Sequence, residues 1–206
     1  PSWKIWVCSP GNMNIVPRVD AWFEIHNSLH WPENKHYGEP YIKWLREQKF
    51  PIYMQNQTLV PNATSYPKDE MVSKFGKYFF TSSFAWMMAM AISQMRPEGK
   101  RIDGDGAELA MFGVDMASKN EYILQRPGGH YFMQVASQLG IKVSLPMESD
   151  LAQPPALYGY VDSTPFGRKL VARKHELTQR INEMTAQRNS LNENIIFLNG
   201  AVEDLD

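Results

Sequence analysis

Polar residues interrupt or follow the apolar runs of this 206-residue chain at a few places, and those places could do chemistry. Ala21-Trp22-Phe23-Glu24-Ile25-His26 reads as a buried strand carrying a carboxylate and an imidazole at its end, a pair suited to moving protons. Each also has a plainer reading, Glu24 as a solvent-facing strand position and His26 as a solvated loop residue. Thr81-Ser82-Ser83 precedes a helical pattern. Hydroxyls beside the unpaired N–H groups of a helix start either cap that helix or seat a phosphate or carboxylate. Asp115 ends the apolar run 109–114, which places it with Gly113 and a loop at 122–130 beyond the end of a strand.

The elements that must position these groups follow from periodicity. The run 109–114, a connection, a helical pattern and a second β-branched run at 141–145 predict a βαβ unit, hence a parallel sheet. Ligands of open parallel sheets sit beyond the carboxyl ends of the strands, where Gly113, Asp115 and the 122–130 loop would converge. Further strands are predicted at 4–8, 21–26 and 51–55. Tyr41, Trp44 and Leu45 fall at i, i+3, i+4 and predict a helix over 37–48. Residues 84–92 are apolar on every side, as in a helix buried within the fold. The stretch 55–68, with prolines at 61 and 67, reads as a loop.

Composition narrows the function classes. Net charge is −1, from 21 basic and 22 acidic residues, so nucleic acid is unsupported as a partner. Cys8, the single cysteine, permits no intrachain disulfide and reads as a small buried hydrophobe rather than a nucleophile. No apolar run approaches a membrane span and no secretion signal opens the chain, so a soluble cytoplasmic protein is expected. Pro1-Ser2 leads at once into strand-like residues, which suggests further residues upstream. Asp103 and Asp105 invite a calcium-loop reading, but the ligand spacing fails and a surface turn is expected. There is no Gly-x-Gly-x-x-Gly, no P-loop and no zinc-ligand spacing.

From about residue 166 the pattern changes. Leu177, Ile181, Met184, Arg188, Leu191, Ile195, Leu198, Val202 and Leu205 alternate spacings of four and three, a heptad repeat over four heptads. β-Branched residues at a with Leu at d favour a parallel dimer, so a homodimer through residues 177–205 is expected, with the helix folding onto its own head or joining a wider bundle as the competing arrangement. The repeat is still in phase at Leu205, so the native helix is expected to continue past Asp206.

Asn12 and Asn14 after the first strand, residues 17–26, Thr81-Ser82-Ser83, Gly113-Val114-Asp115-Met116, Glu121-Tyr122, Gln125-Arg126-Pro127 and Ser149-Asp150-Leu151 together resemble one family. It comprises Rossmann-like proteins related to 6-hydroxymethylpterin diphosphokinase and the motility accessory factors, particularly bacteriophage versions. The resemblance covers roughly residues 3–160. It implies a Rossmann-like fold similar to the bacterial sialyltransferase type. Strand runs alternating with helical patterns predict a three-layer, mostly parallel α/β sheet of at least five strands over residues 1–160, and the heptads predict a linker and coiled-coil helix over 161–206. It further implies a nucleotide or nucleotide-sugar donor, and a host cytoplasm if the chain is phage-encoded. The family's Gly-x-Gly-Pro-Ser turn is missing here.

The site is expected among Asn14, Glu24, His26, Ser82, Ser83, Asp115, Tyr122, Gln125 and Arg126. Ser82 and Ser83 with the helix start would hold a phosphate, and Arg126 would offer that group a fork of donors. Asp115 would bind a divalent ion such as magnesium or act as base, and Glu24 and His26 complete the catalytic set. Two functions remain open: a transferase using a nucleotide-linked donor, or a non-catalytic nucleotide- or protein-binding module dimerised by its tail.

Overall fold

A computed structural model describes residues 3–26, 38–114, 120–152 and 165–203, the side chains of 120–123, 165–166 and 203 excepted. The chain divides into two compact units, Pro1–Leu151 and Ala152–Asp206.

In the first unit, β1 (Trp6–Cys8), β2 (Ala21–Glu24), β3 (Ile52–Met54) and β4 (Thr64–Ser65) form a parallel sheet in that spatial order. Trp6 is paired with Ala21, Trp22 with Ile52 and Tyr53 with Thr64. A second parallel ladder joins β5 (Glu108–Ala110) to β6 (Lys142–Ser144). The helices are α1 (Glu39–Glu47), α2 (Lys68–Phe75), α3 (Ser83–Met95) and α4 (Asn120–Gln138). All five expected strands are present but shorter. They pair as two ladders of four and two strands rather than one continuous sheet. Part of the main chain at the end of β1 bonds to a side chain instead of a further strand, since Asn12 Nδ2 donates to the Cys8 carbonyl at 2.7 Å.

The period-2 alternation of the strands separates two apolar cores. Val7, Trp22, Ile52 and Met54 pack with Tyr41, Ile42 and Leu45 of α1. Residues of opposite parity, Trp6, Cys8, Ala21, Phe23 and Tyr53, belong with α3, with Phe132 and Ala136 of α4, and with Leu109 and Val143 of the second ladder. β2 is therefore buried along its whole length, which explains its near-continuous apolar sequence. α3 carries eight buried residues, from Ala85 to Ser93, as an all-round apolar pattern requires.

Three elements depart from expectation. β4 lies within the stretch 55–68 read as a loop, and α2 begins at its last residue; a two-residue strand and a short polar helix leave little periodic signal. Residues 122–130 lie within α4 despite Pro127. The two glycines after it serve packing rather than a turn. A Cβ on Gly128 would stand 2.3 Å from the Phe79 carbonyl oxygen, and one on Gly129 would stand 3.0 Å from Leu151 Cδ1.

The second unit contains α5 (Pro165–Glu203), a helix of 39 residues with Pro in its first turn. Its apolar residues from Val171 to Val202 are between 42% and 74% exposed. Among the described residues no helix is long and apolar enough to cross a membrane.

Candidate site at the carboxyl edge of the strands

α3 relates the two edges of the molecule. Near its C-terminal end, Gln94 lines one hollow with Lys4, Asp20 and Pro51, at the amino ends of β1 to β3. Arg96, the residue that ends α3, bonds the carbonyls of Ile102, before β5, and Leu139, before β6. The amino ends of both ladders thus gather at the C-terminal end of α3. The N-terminal end of α3, with Ser82 and Ser83, accordingly lies toward the carboxyl edge, where Glu24 closes β2 and Gly113 follows β5.

Glu24 is the most deeply set polar group of this edge. Its parity turns it with Trp22 toward α1, and its side chain is 1% exposed. Tyr41 Oη donates to Glu24 Oε2 at 2.8 Å, while Trp22 Nε1 donates to Tyr41 Oη at 2.8 Å. Glu24 Oε1 takes the main-chain N–H of His26 at 3.2 Å and meets His26 Nδ1. A carboxylate this buried is tolerated because donors reach both oxygens. His26 is 33% exposed, so the pair joins a buried anion to a ring at the surface. A ring that donates from Nδ1 to this carboxylate is fixed in orientation and tautomer by it.

Cys8 ends β1 on the other face. Burial, and secondarily the charge of Glu24, pushes its thiol up to about 11, so the thiolate needed of a nucleophile is scarce at neutral pH.

Ser82 is the N-cap of α3, its Oγ accepting from Ala85 N at 3.1 Å. The capping reading is therefore realised, and Ser82 keeps its own O–H to donate. Ser83 occupies the first helical position, half-buried, where main-chain N–H groups have no partner within the helix. Thr81 Oγ1 donates to the Gln125 carbonyl at 2.8 Å, and the close fit of Gly128 against Phe79 and Thr81 seals that contact. Ser82, Ser83, Gln125 and Arg126 are thereby brought into one neighbourhood.

Within it Arg126 has structural duties. Its Nη2 donates to the Asp150 carbonyl at 2.5 Å, which helps hold the 3-10 turn Asp150–Ala152. His130 Nε2 contacts the Leu151 carbonyl at 3.1 Å. Burial holds this imidazole below its ordinary pKa, the charge of Arg126 adding in the same sense against the Leu151 bond. A neutral ring donating to a carbonyl satisfies both conditions. Ser149 Oγ donates to the Val114 carbonyl at 2.9 Å, so the turn is fastened to the segment that follows β5 as well.

Asn14 stands apart from both groups. It adopts φ 58° and accepts from Trp44 Nε1 of α1 at 2.9 Å, a bond that fixes the loop after β1 against α1. Asp115 and the side chain of Tyr122 lie outside the described residues. Among the described residues no group of three or more His, Cys, Asp or Glu side chains could hold a metal ion.

Sequence reasoning missed three contributors. Tyr41 counted only as a member of an apolar helix face and Trp22 only as core, yet their polar atoms support Glu24. Gln55 donates from Nε2 to the Ile25 carbonyl at 2.6 Å. It also lines a cavity of about 480 Å³ with Ser65, Lys68, Asp69 and Glu70, within the size range of ligand pockets. This cavity opens at the ends of β3 and β4 and does not include His26 or Ser82 in its lining. No family model, no curated protein and no solved structure matches the chain, so the functional reading rests on this geometry.

Proposed function

We propose that the chain is a transferase acting on a nucleotide-linked donor, transferring a glycosyl or diphosphoryl group, with His26 as the general base. The pairing of buried Glu24 with partly exposed His26 at the end of β2 is the observation that carries this reading. The two ladders are read as halves of one three-layer Rossmann-like sheet in the order β4-β3-β2-β1-β5-β6, reversing direction between β1 and β5. Supporting this are the single apolar cluster that receives side chains from both ladders and the α1 core on the opposite face. Such a reversal point is where open α/β sheets bind ligands.

The acceptor hydroxyl gives its proton to His26 Nε2 as its oxygen bonds to the donor carbon or phosphorus. The bond from that atom to the nucleotide phosphate oxygen breaks, and its electron pair stays on the phosphate. Ser82, Ser83 and the first N–H groups of α3 receive the phosphate charge. Asp115, outside the described residues, would be the residue to hold magnesium, which would supply charge neutralisation.

Arg126 and Ser82 each serve the fold, and that favours a second reading, a nucleotide- or protein-binding module without turnover. Thermal-shift screening against nucleotide sugars and nucleoside triphosphates, with and without magnesium, separates the outcomes. A donor at a hundred times its dissociation constant adds about 2.7 kcal/mol. His26→Asn is expected to keep that shift and abolish turnover. A shift without turnover in the wild type selects the nucleotide-binding module, and no shift from any nucleotide rejects the transferase in favour of protein binding.

A further inference from the structure

We infer that α5 pairs with α5 of a second copy as a parallel, in-register, two-stranded coiled coil. Seven apolar residues of its a and d positions, Leu177, Ile181, Met184, Leu191, Ile195, Leu198 and Val202, are 42–67% exposed. Covering them in two copies removes on the order of 1,500 Å² from water, the size of a standard stable interface. An exposed apolar stripe of this extent, interrupted only at Arg188, marks an association surface.

The flanks of the stripe say what the partner is. From Ile181 to Val202 the e positions are Thr185, Asn192 and Asn199, and the g positions are Gln187, Asn194 and Ala201. Beyond Arg180, a g position at the start of the seam, these flanks carry no charge, so along most of its length a charged partner helix finds no counter-charge. A second copy finds amides that both donate and accept: in the parallel register Gln187 faces Asn192 and Asn194 faces Asn199 across the seam. The ion pairs of this helix, Arg173 with Glu176 at 2.7 Å and Arg180 with Glu176 at 3.8 Å, form within one chain and precede the polar stretch.

Arg188 sets the register. It occupies an a position, where a charged group lowers stability but penalises slipped alignments and larger cores. In the parallel pair the two Arg188 side chains share one layer, their stems packed on the seam and their heads turned to water. Ile196 and Phe197, 64% and 74% exposed, lie off the seam and remain uncovered by a two-stranded pair.

Light scattering on the full chain tests the pairing, and Leu177→Cys tests its direction. The intact protein is expected to have the mass of a dimer. Leu191→Glu with Ile195→Glu is expected to give monomers with the circular dichroism of the head preserved, whereas Ile196→Ser with Phe197→Ser stays dimeric. Mild oxidation of Leu177→Cys is expected to yield a covalent dimer; an antiparallel pair would hold the two cysteines tens of ångströms apart, given 1.5 Å of rise per residue. Arg188→Leu is expected to raise the melting temperature of the dimer. A monomer, a larger oligomer, or a dimer that does not crosslink at 177 overturns the proposal.

Discussion

Of the charged side chains buried in the head, Arg96 and Glu24 stand at opposite edges of the strands, and they are held in opposite ways. Arg96, at the amino edge, spends its guanidinium on the carbonyls of Met95, Ile102 and Leu139 and on Asp105 at 2.9 Å. Its partners are main chain and a turn carboxylate, so it acts as a rivet between α3, the approach to β5 and the end of α4. Glu24, at the carboxyl edge, is held by a phenol and by a histidine ring that reaches the surface. Burial of a charge is therefore no sign of function by itself. What distinguishes Glu24 is a partner that can exchange protons with solvent.

That contrast can be broken in three places, in order of decreasing effect. Arg96→Met should cost about 3 kcal/mol in chemical denaturation, because three carbonyls lose a charged donor and Asp105 loses its partner. It should leave nucleotide binding intact. If Arg96→Met instead abolishes binding while the fold persists, the two edges are not separable as described. Tyr41→Phe should cost about 2 kcal/mol, since Glu24 Oε2 and Trp22 Nε1 both lose a buried partner. Unlike the first variant, it should also shift the pH dependence of any His26-dependent activity; an unchanged profile would argue that Glu24 does not tune the ring.

The smallest effect concerns His130, a histidine bonded to a carbonyl rather than to a carboxylate. Its folded pKa lies below the unfolded value of 6.5, so the unfolded chain binds the proton first. Stability from this group is complete above that value and is lost as pH falls toward the lowered folded pKa. Urea midpoints measured between pH 7 and pH 5 should decline less in His130→Gln than in the wild type. Equal slopes would mean the ring is not held neutral.

Much of the head was readable from its apolar runs, because a strand buried on both faces has to be apolar almost throughout, as residues 21–25 are. The end of that run was readable for the same reason: Glu24 and His26 break a pattern that has no other exceptions. Tyr41 was not, since a phenol on an amphipathic helix looks the same whether its hydroxyl meets water or a carboxylate. Arg96 was hidden by the turn-like Pro97-Glu98-Gly99 after it, although Lys74 Nζ reaching the Arg96 and Pro97 carbonyls at 3.2 and 2.9 Å shows how firmly that end of α3 is tied down. Pro127-Gly128-Gly129 misled in the opposite direction. Local sequence could not reveal that Phe79, Thr81 and Leu151 would press against that helix, because those contacts depend on residues distant along the chain.

The thiol of Cys8 has a practical consequence. With its ionisation displaced to about 11, on the order of one molecule in ten thousand carries the thiolate at pH 7, and thiol-directed reagents act through that form. The wild-type chain thus supplies its own quiet background for maleimide dyes and nitroxide spin labels. A cysteine placed at an exposed position of α5 would label faster than the native one, so that helix could be followed by fluorescence or electron spin resonance without first removing the native residue.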